Sequence, residues 1–167
     1  MAMSTYSPGI QHSSSELEGD ARNIPFTQKK SAPSVLVVDD DALMRWSLAE
    51  LLGELGYAVT ESGDARSAVS AVDNAAEPFD VVLLDYRLPD SADLRLLEIV
   101  RRLSPTSRVI MITSYNSPEL ALGAVALGAY RVITKPFEVA SIAALVGEAR
   151  ADGDESLRRQ CLCAERS

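Results

Sequence analysis

Four apolar runs end in side chains able to do chemistry. Asp39, Asp40 and Asp41 follow "VLVV", Asp85 follows "VVLL", Thr113 follows "VIMI" and Lys135 follows "RVIT". Carboxylates gathered at one place repel one another, and at least one of them then has a raised pKa. A hard divalent cation removes the repulsion: Mg²⁺ takes oxygen ligands, keeps several waters and binds through one or two carboxylates plus a phosphate. A metal, a carboxylate able to act as nucleophile, a hydroxyl and an ammonium together make a site for phosphoryl transfer to aspartate. There Mg²⁺ bridges the phosphoryl group and the acidic residues, while Lys135 and the Thr113 hydroxyl take the remaining oxygens. Asp41 is set apart as the cap of the helix that follows, where its charge meets the helix dipole.

Each of these residues also has a plain structural reading. The acidic triplet could do no more than cap a helix, Asp85 before "YRLPD" could be a turn residue, Thr113 a strand-end hydroxyl and Lys135 a solvated lysine. The two readings separate on whether one fold brings the positions together.

The elements are legible from periodicity. "VLVV", "VVLL" and "VIMI" are short, mostly β-branched and flanked by polar residues, the pattern of strands covered on both faces of a parallel sheet. "YAVTES" and "YRVIT" are weaker candidates for a second and a fifth strand. Between them lie helical repeats. Leu48, Leu51, Leu52 and Leu55 precede Gly56 as a stop, and Ala65, Ala68, Val69 and Val72 follow Asp64 as a cap. Leu96, Ile99, Val100 and Leu103 end at Ser104 and Pro105, Ser117 and Pro118 open "SPELALGAVALGA", and Ile142, Leu145, Val146 and Ala149 form the last repeat. Five strand-then-helix units predict a doubly wound α/β sheet, whose functional crevice lies outside the carboxyl ends of the strands.

Composition bounds the rest. The chain has 167 residues, 47% hydrophobic and 24% charged, enough for one domain with a core. Residues 1–33 are rich in Ser, Gly, Gln and Thr without sustained period and read as a disordered polar arm. Residues 34–150 form the folded domain, and 151–167 a tail or an extension of the last helix. The arm holds three acidic and three basic residues and the last seventeen hold four and three, so −7 of the net −8 belongs to the folded block. That charge, with a pI near 4.7, opposes direct contact with nucleic acid or anionic lipid. No run of roughly 18 apolar residues and no secretory signal pattern occurs, which makes the cytoplasm the expected compartment. His12 lies in the polar arm as a solvated histidine. Cys161 and Cys163 supply only half the ligands of a structural zinc site and read as incidental reduced thiols.

The motifs "VLVVDDD", "VVLLDYRLPD", "VIMITSY" and "ITKPF", in this order over residues 34–150, resemble the receiver domain of bacterial two-component response regulators. The resemblance implies a flavodoxin-like sheet of order 2-1-3-4-5 flanked by five helices. It implies that Asp85 accepts phosphate from a sensor histidine kinase or phosphotransfer protein. It further implies that Mg²⁺ is ligated by Asp40, Asp85 and the backbone carbonyl of Arg87, with Asp39 acting largely through water. Thr113 and Lys135 would sense the phosphoryl group, and the face made by helix 4, strand 5 and helix 5 would carry output to a protein effector or a homodimer. The Lys135–Pro136 bond is cis in that family. The run "DALMRWSLAELL" is similar to receivers attached to enhancer-binding transcription activators. With about seventeen residues after the domain there is no room for a DNA-binding effector, so output is expected through a partner, a dimer or a longer parent protein.

Three positions depart from the family pattern. Val132 stands where an aromatic residue usually moves with the threonine; Tyr130, two residues earlier, is expected on the same strand face. Asp93 stands where glycine is usual, and Arg87 puts a long cation at the lip of the site, where it could alter how fast water removes the phosphate. Two other function classes stay open. One is a pseudo-receiver that docks constitutively; the other is a haloacid-dehalogenase-type phosphohydrolase using a D-x-D pair formed by Asp39 and Asp41.

Overall fold

The computed structural model describes residues 32–164, with side chains through residue 155. Almost all of the expected arm, His12, and the side chains of Cys161 and Cys163 lie outside the described residues. Five strands alternate with five helices: β1 (Ser34–Val38), α1 (Ala42–Glu54), β2 (Ala58–Ser62), α2 (Ala65–Asp73), β3 (Val81–Asp85), α3 (Arg95–Leu103), β4 (Arg108–Thr113), α4 (Pro118–Ala126), β5 (Arg131–Thr134) and α5 (Val139–Ala164). All strand pairs are parallel and the order is β2-β1-β3-β4-β5, the flavodoxin-like arrangement.

The unbroken apolar runs follow from this layering. Along β1, Val35 and Val37 face α1 and α5, where they meet Leu48, Leu52, Ile142 and Val146. Leu36 and Val38 face the other way, toward Ala68 of α2, Leu97 and Val100 of α3 and Ala124 of α4. The same alternation runs through β3 and β4, so four successive positions of each are apolar although the strand period is two. Each fully buried Val or Leu contributes about 1.5–3 kcal/mol, which fixes the central strands by packing. β2 is an edge strand with only Ser62 buried, which is why its sequence signal is weak.

Helix ends obey local chemistry. Asp41 caps α1, its carboxylate accepting from the N–H groups of Leu43 and Met44. Asp64 caps α2 through Ser67 N–H, and Ser117 caps α4 with Pro118 in the first turn. α1 closes before Gly56, whose φ of +88° suits only a residue without Cβ. Leu55, expected on the apolar face, is instead the exposed C-cap of α1. In α3 the buried stripe is Leu96, Leu97 and Val100, so it is rotated from the expected one: Ile99 is half-buried and Leu103 exposed. α5 continues to Ala164, well past its last core residue, Ala149. No described helix is long and apolar enough to cross a membrane.

Candidate functional site

The register carries the strand ends to one edge of the sheet. Val38 lies opposite Ser62 and Leu84, Asp85 opposite Ile112, and Thr113 opposite Thr134. β1 is followed in the chain by β2 on one side and neighbours β3 on the other, so Asp39 and Asp85 flank the point where strand order reverses. Lys135 follows β5, and its backbone N–H donates to the Thr113 carbonyl at 2.7 Å. The Lys135–Pro136 bond is cis, as the resemblance implies.

The side chains converge on Lys135. Its Nζ donates to Asp39 Oδ2 at 2.8 Å and to Asp85 Oδ2 at 2.7 Å. The other oxygens are held by backbone: Asp41 N–H donates to Asp39 Oδ1 at 2.9 Å, and Arg87 N–H to Asp85 Oδ1 at 3.2 Å. Asp39, Asp40 and Asp85 each place a carboxylate oxygen within 4.8 Å of the others. Asp39 is 1% exposed and Asp85 7%, whereas Asp40 is open to solvent. Thr113 is buried at the end of β4, its Oγ1 accepting from Tyr115 N–H at 3.0 Å.

Three carboxylates facing one ammonium leave two formal negative charges uncompensated. Burial pushes the Asp85 carboxyl above its usual range, and the Asp39 charge adds to this. The Lys135 ammonium and the Arg87 N–H offset the rise only in part. For Lys135, burial pulls the pKa down, but the hydrogen bonds and charges of Asp39 and Asp85 outweigh it, so the ammonium is held protonated. A hard, oxygen-lined, over-acidic cluster of this kind fits a divalent cation such as Mg²⁺.

A further layer surrounds these groups. Arg45 Nη1 donates to the Asp39 carbonyl at 2.6 Å while Nε pairs with Glu61 at 3.3 Å. Asp90, in the loop after Asp85, accepts from the N–H groups of Ala65 and Arg66 at 2.8 and 3.0 Å, tying that loop to the start of α2. Asp93 accepts from Arg95 N–H at 2.9 Å and so supports the start of α3. The Arg87 guanidinium turns to Tyr115, donating to its hydroxyl and lying 5.3 Å from its ring centre. Sequence reasoning does not single out Tyr115; the only signal for it is an aromatic residue two positions after Thr113.

Two expectations are corrected. Asp41 spends its carboxylate on the N-terminus of α1, so Asp39 and Asp41 do not form a D-x-D pair in the site; Asp40 takes the third place. Tyr130 and Val132 do not share a face. Val132 packs toward α4, but Tyr130 precedes the first residue of β5, where the strand period does not yet hold. Its ring packs toward α5, with the hydroxyl donating to Asp152 Oδ2 at 2.7 Å.

Comparisons with known proteins agree with this geometry. The family described as the response regulator receiver domain matches residues 35–147. The response regulator protein PilR of Pseudomonas aeruginosa is 34% identical over 119 residues, 71% of this chain and 26% of PilR. The chain thus spans about a quarter of the length of such curated relatives. A CheY-like receiver domain protein from Methanospirillum hungatei superposes with a TM-score of 0.71 at 29% identity, over 75% of this chain and 99% of the other. A response regulator from Burkholderia pseudomallei, solved with a phosphorylated aspartic acid and a calcium ion, superposes at 0.62 with 31% identity, over 77% and 73%. The five-stranded parallel fold is thus matched in sequence and in shape. This chain belongs to the response regulator receiver domain family of two-component systems.

Proposed function

We propose that Asp85 is the phosphoacceptor, taking its phosphoryl group from a sensor histidine kinase or a phosphotransfer protein. The observation that carries this is the pair of contacts from Lys135 Nζ to Asp85 and Asp39 beside the Asp40 carboxylate. In the transfer an Asp85 carboxylate oxygen forms the new O–P bond, the donor's P–N bond breaks, and its electron pair leaves on the imidazole nitrogen. Lys135 and the Thr113 hydroxyl bind the oxygens of the arriving group and balance its charge. Asp39, Asp40, Asp85 and the backbone carbonyl of Arg87 would hold Mg²⁺, which supplies charge neutralisation to phosphoryl oxygens when bound. The phosphorylated aspartic acid of the Burkholderia pseudomallei relative supports the reading by likeness.

Phosphorylation adds about −1.5 to −2 charge to the pocket and can shift the loop after β4, with output through the face of α4, β5 and α5. On α4 Leu122 is 72% exposed and Val125 56%, apolar surface suited to a protein effector or a second copy of the chain. A constitutive docking module is the second reading, favoured by Val132, whose aliphatic side chain packs into the α4-side core.

Intact-mass and peptide mapping after incubation with acetyl phosphate and Mg²⁺ tests the proposal, with Asp85→Asn as control. A Mg²⁺-dependent single adduct abolished by the substitution is expected. Absence of the adduct, with beryllofluoride also failing to bind, would leave the docking reading.

A further inference from the structure

Beside the acidic cluster stand three side chains that the transfer chemistry does not use, those of Arg87, Tyr86 and Tyr115. Arg87 is anchored two residues after Asp85, and its own N–H already donates to Asp85 Oδ1. Yet its side chain turns away from the carboxylates. The guanidinium donates to the Tyr115 hydroxyl and lies over the Tyr115 ring, which Tyr86 meets edge-on at 6.2 Å and 79°. Tyr115 is moored a second time through its backbone, donating to Thr113 Oγ1 at 3.0 Å. These side chains, with Ala92, Ser117 and Leu120, line a cavity of about 370 Å³, and Ser117 is the N-cap of α4.

We propose that Arg87 is an exchangeable clamp. With Asp85 unmodified it holds Tyr115; with a phosphoryl group on Asp85 its guanidinium moves to the phosphoryl oxygens and frees Tyr115, loosening residues 114–117 ahead of α4. The inference rests on the phosphoacceptor reading and adds a mover to it.

Competition for hydrogen bonds drives the exchange. In the unmodified site each oxygen of Asp39 and Asp85 already accepts from Lys135 or from a backbone N–H, and the Arg87 guanidinium is directed to Tyr115 instead. Phosphorylation adds three strong acceptor oxygens at that spot. A planar guanidinium binds them in bidentate, charge-assisted fashion, which outweighs a bond to a neutral hydroxyl plus an exposed cation–π contact. The Thr113 hydroxyl, drawn to the same oxygens, weakens the second mooring in the same event.

Beryllofluoride with Mg²⁺ serves as the probe, its binding read by the fluorine resonances of the bound species and its effect by amide hydrogen exchange across residues 113–120. In the wild type the probe should speed exchange at 114–117 by about tenfold, the loss of roughly one net hydrogen bond. Arg87→Ala should exchange fast without the probe and gain clearly less than the wild type when saturated with it, since only the Thr113 mooring is left to weaken. Tyr115→Phe, which frees Arg87 in advance, should bind the probe about 2- to 10-fold more tightly. Bound fluoride without faster exchange, or an Arg87→Ala response equal to that of the wild type, overturns the clamp and leaves the phosphoacceptor reading intact. No bound fluoride in the wild type overturns both.

Discussion

Lys135→Met tests the electrostatic account of the site most directly. Lys135 Nζ contacts buried carboxylates at 2.7 and 2.8 Å, each contact giving about 6 kcal/mol of attraction at an effective dielectric near 20. Desolvation cancels most of this, and removing one partner of a buried pair costs about 3–5 kcal/mol. Lys135 is 20% exposed, which admits some solvent screening, and the expected loss is therefore about 2–4 kcal/mol at pH 7 without divalent metal. At about 3–5 °C per kcal/mol for a domain of this size, the Tm should fall by about 6–20 °C. The loss has a pH signature. Asp85 already titrates above its usual 3.8 because of burial, and without the ammonium it moves further up. A raised folded-state pKa favours the protonated form, so the penalty is complete at neutral pH and fades as pH falls through the folded pKa toward 3.8. In the wild type the stabilisation from Lys135 is complete below 10.5 and is lost only as pH rises through the folded pKa above that value. Urea unfolding of both proteins in EDTA at pH 7 and near pH 4, repeated at pH 7 with Mg²⁺, reads all of this. Mg²⁺ should stabilise the variant more than the wild type, since the cation meets two carboxylates that have lost their ammonium. A penalty below about 0.5 kcal/mol, within the range of ordinary surface substitutions, or one of equal size at both pH values, would refute the reasoning.

Neighbouring carboxylates should separate by role. Asp41→Ala removes the acceptor of two capping bonds at 2.9 and 3.2 Å and should cost about 1 kcal/mol in urea unfolding while leaving the acetyl phosphate adduct in place. Asp40→Ala, an exposed residue of the carboxylate cluster, should change stability by less than about 0.5 kcal/mol yet weaken Mg²⁺ binding in a calorimetric titration. Gly128→Ala forces a Cβ onto backbone at φ +91°, 2.9 Å from Arg101 Nε, and should lower stability by more than about 1 kcal/mol. A Gly128→Ala protein as stable as the parent would show that Arg101 yields and that the backbone there relaxes.

What the sequence made legible depended on how many faces a segment buries. β1, β3 and β4 declare themselves because both faces are packed, which forces unbroken apolar runs of four between their polar ends. The edge strands β2 and β5 carry mixed patterns, and the period-two inference failed at Tyr130 because that residue lies one position before β5 begins. Leu55 and Leu103 misled for a related reason: the apolar spacing continues to positions where the helix is ending and no neighbour covers it. Asp39, Asp85, Thr113 and Lys135 were readable since strand ends of a parallel sheet share one edge. The Arg87–Tyr115 contact was not, because it joins two loops whose relative path no periodicity encodes.

The burial of these carboxylates follows from where the fold puts them. β1 and β3 are central strands, sheathed by helices on both faces, so residues at their carboxyl ends inherit the exclusion of water from the core just behind them. Asp39 and Asp85 are desolvated for that reason, while Asp40, one step along the loop, stays in solvent. Desolvation makes ionised carboxylates expensive, and the single ammonium of Lys135 compensates them only in part. A site in this condition gains most from groups that bring positive charge to it, and its buried carboxylates have few competing water contacts. The same pattern at the end of an edge strand such as β2 would sit in water, with its charges screened and little reason to bind a cation. Of the three acidic residues at the tip of β1, Asp41 alone caps α1, which leaves the buried Asp39 and the exposed Asp40 to the cluster with Asp85.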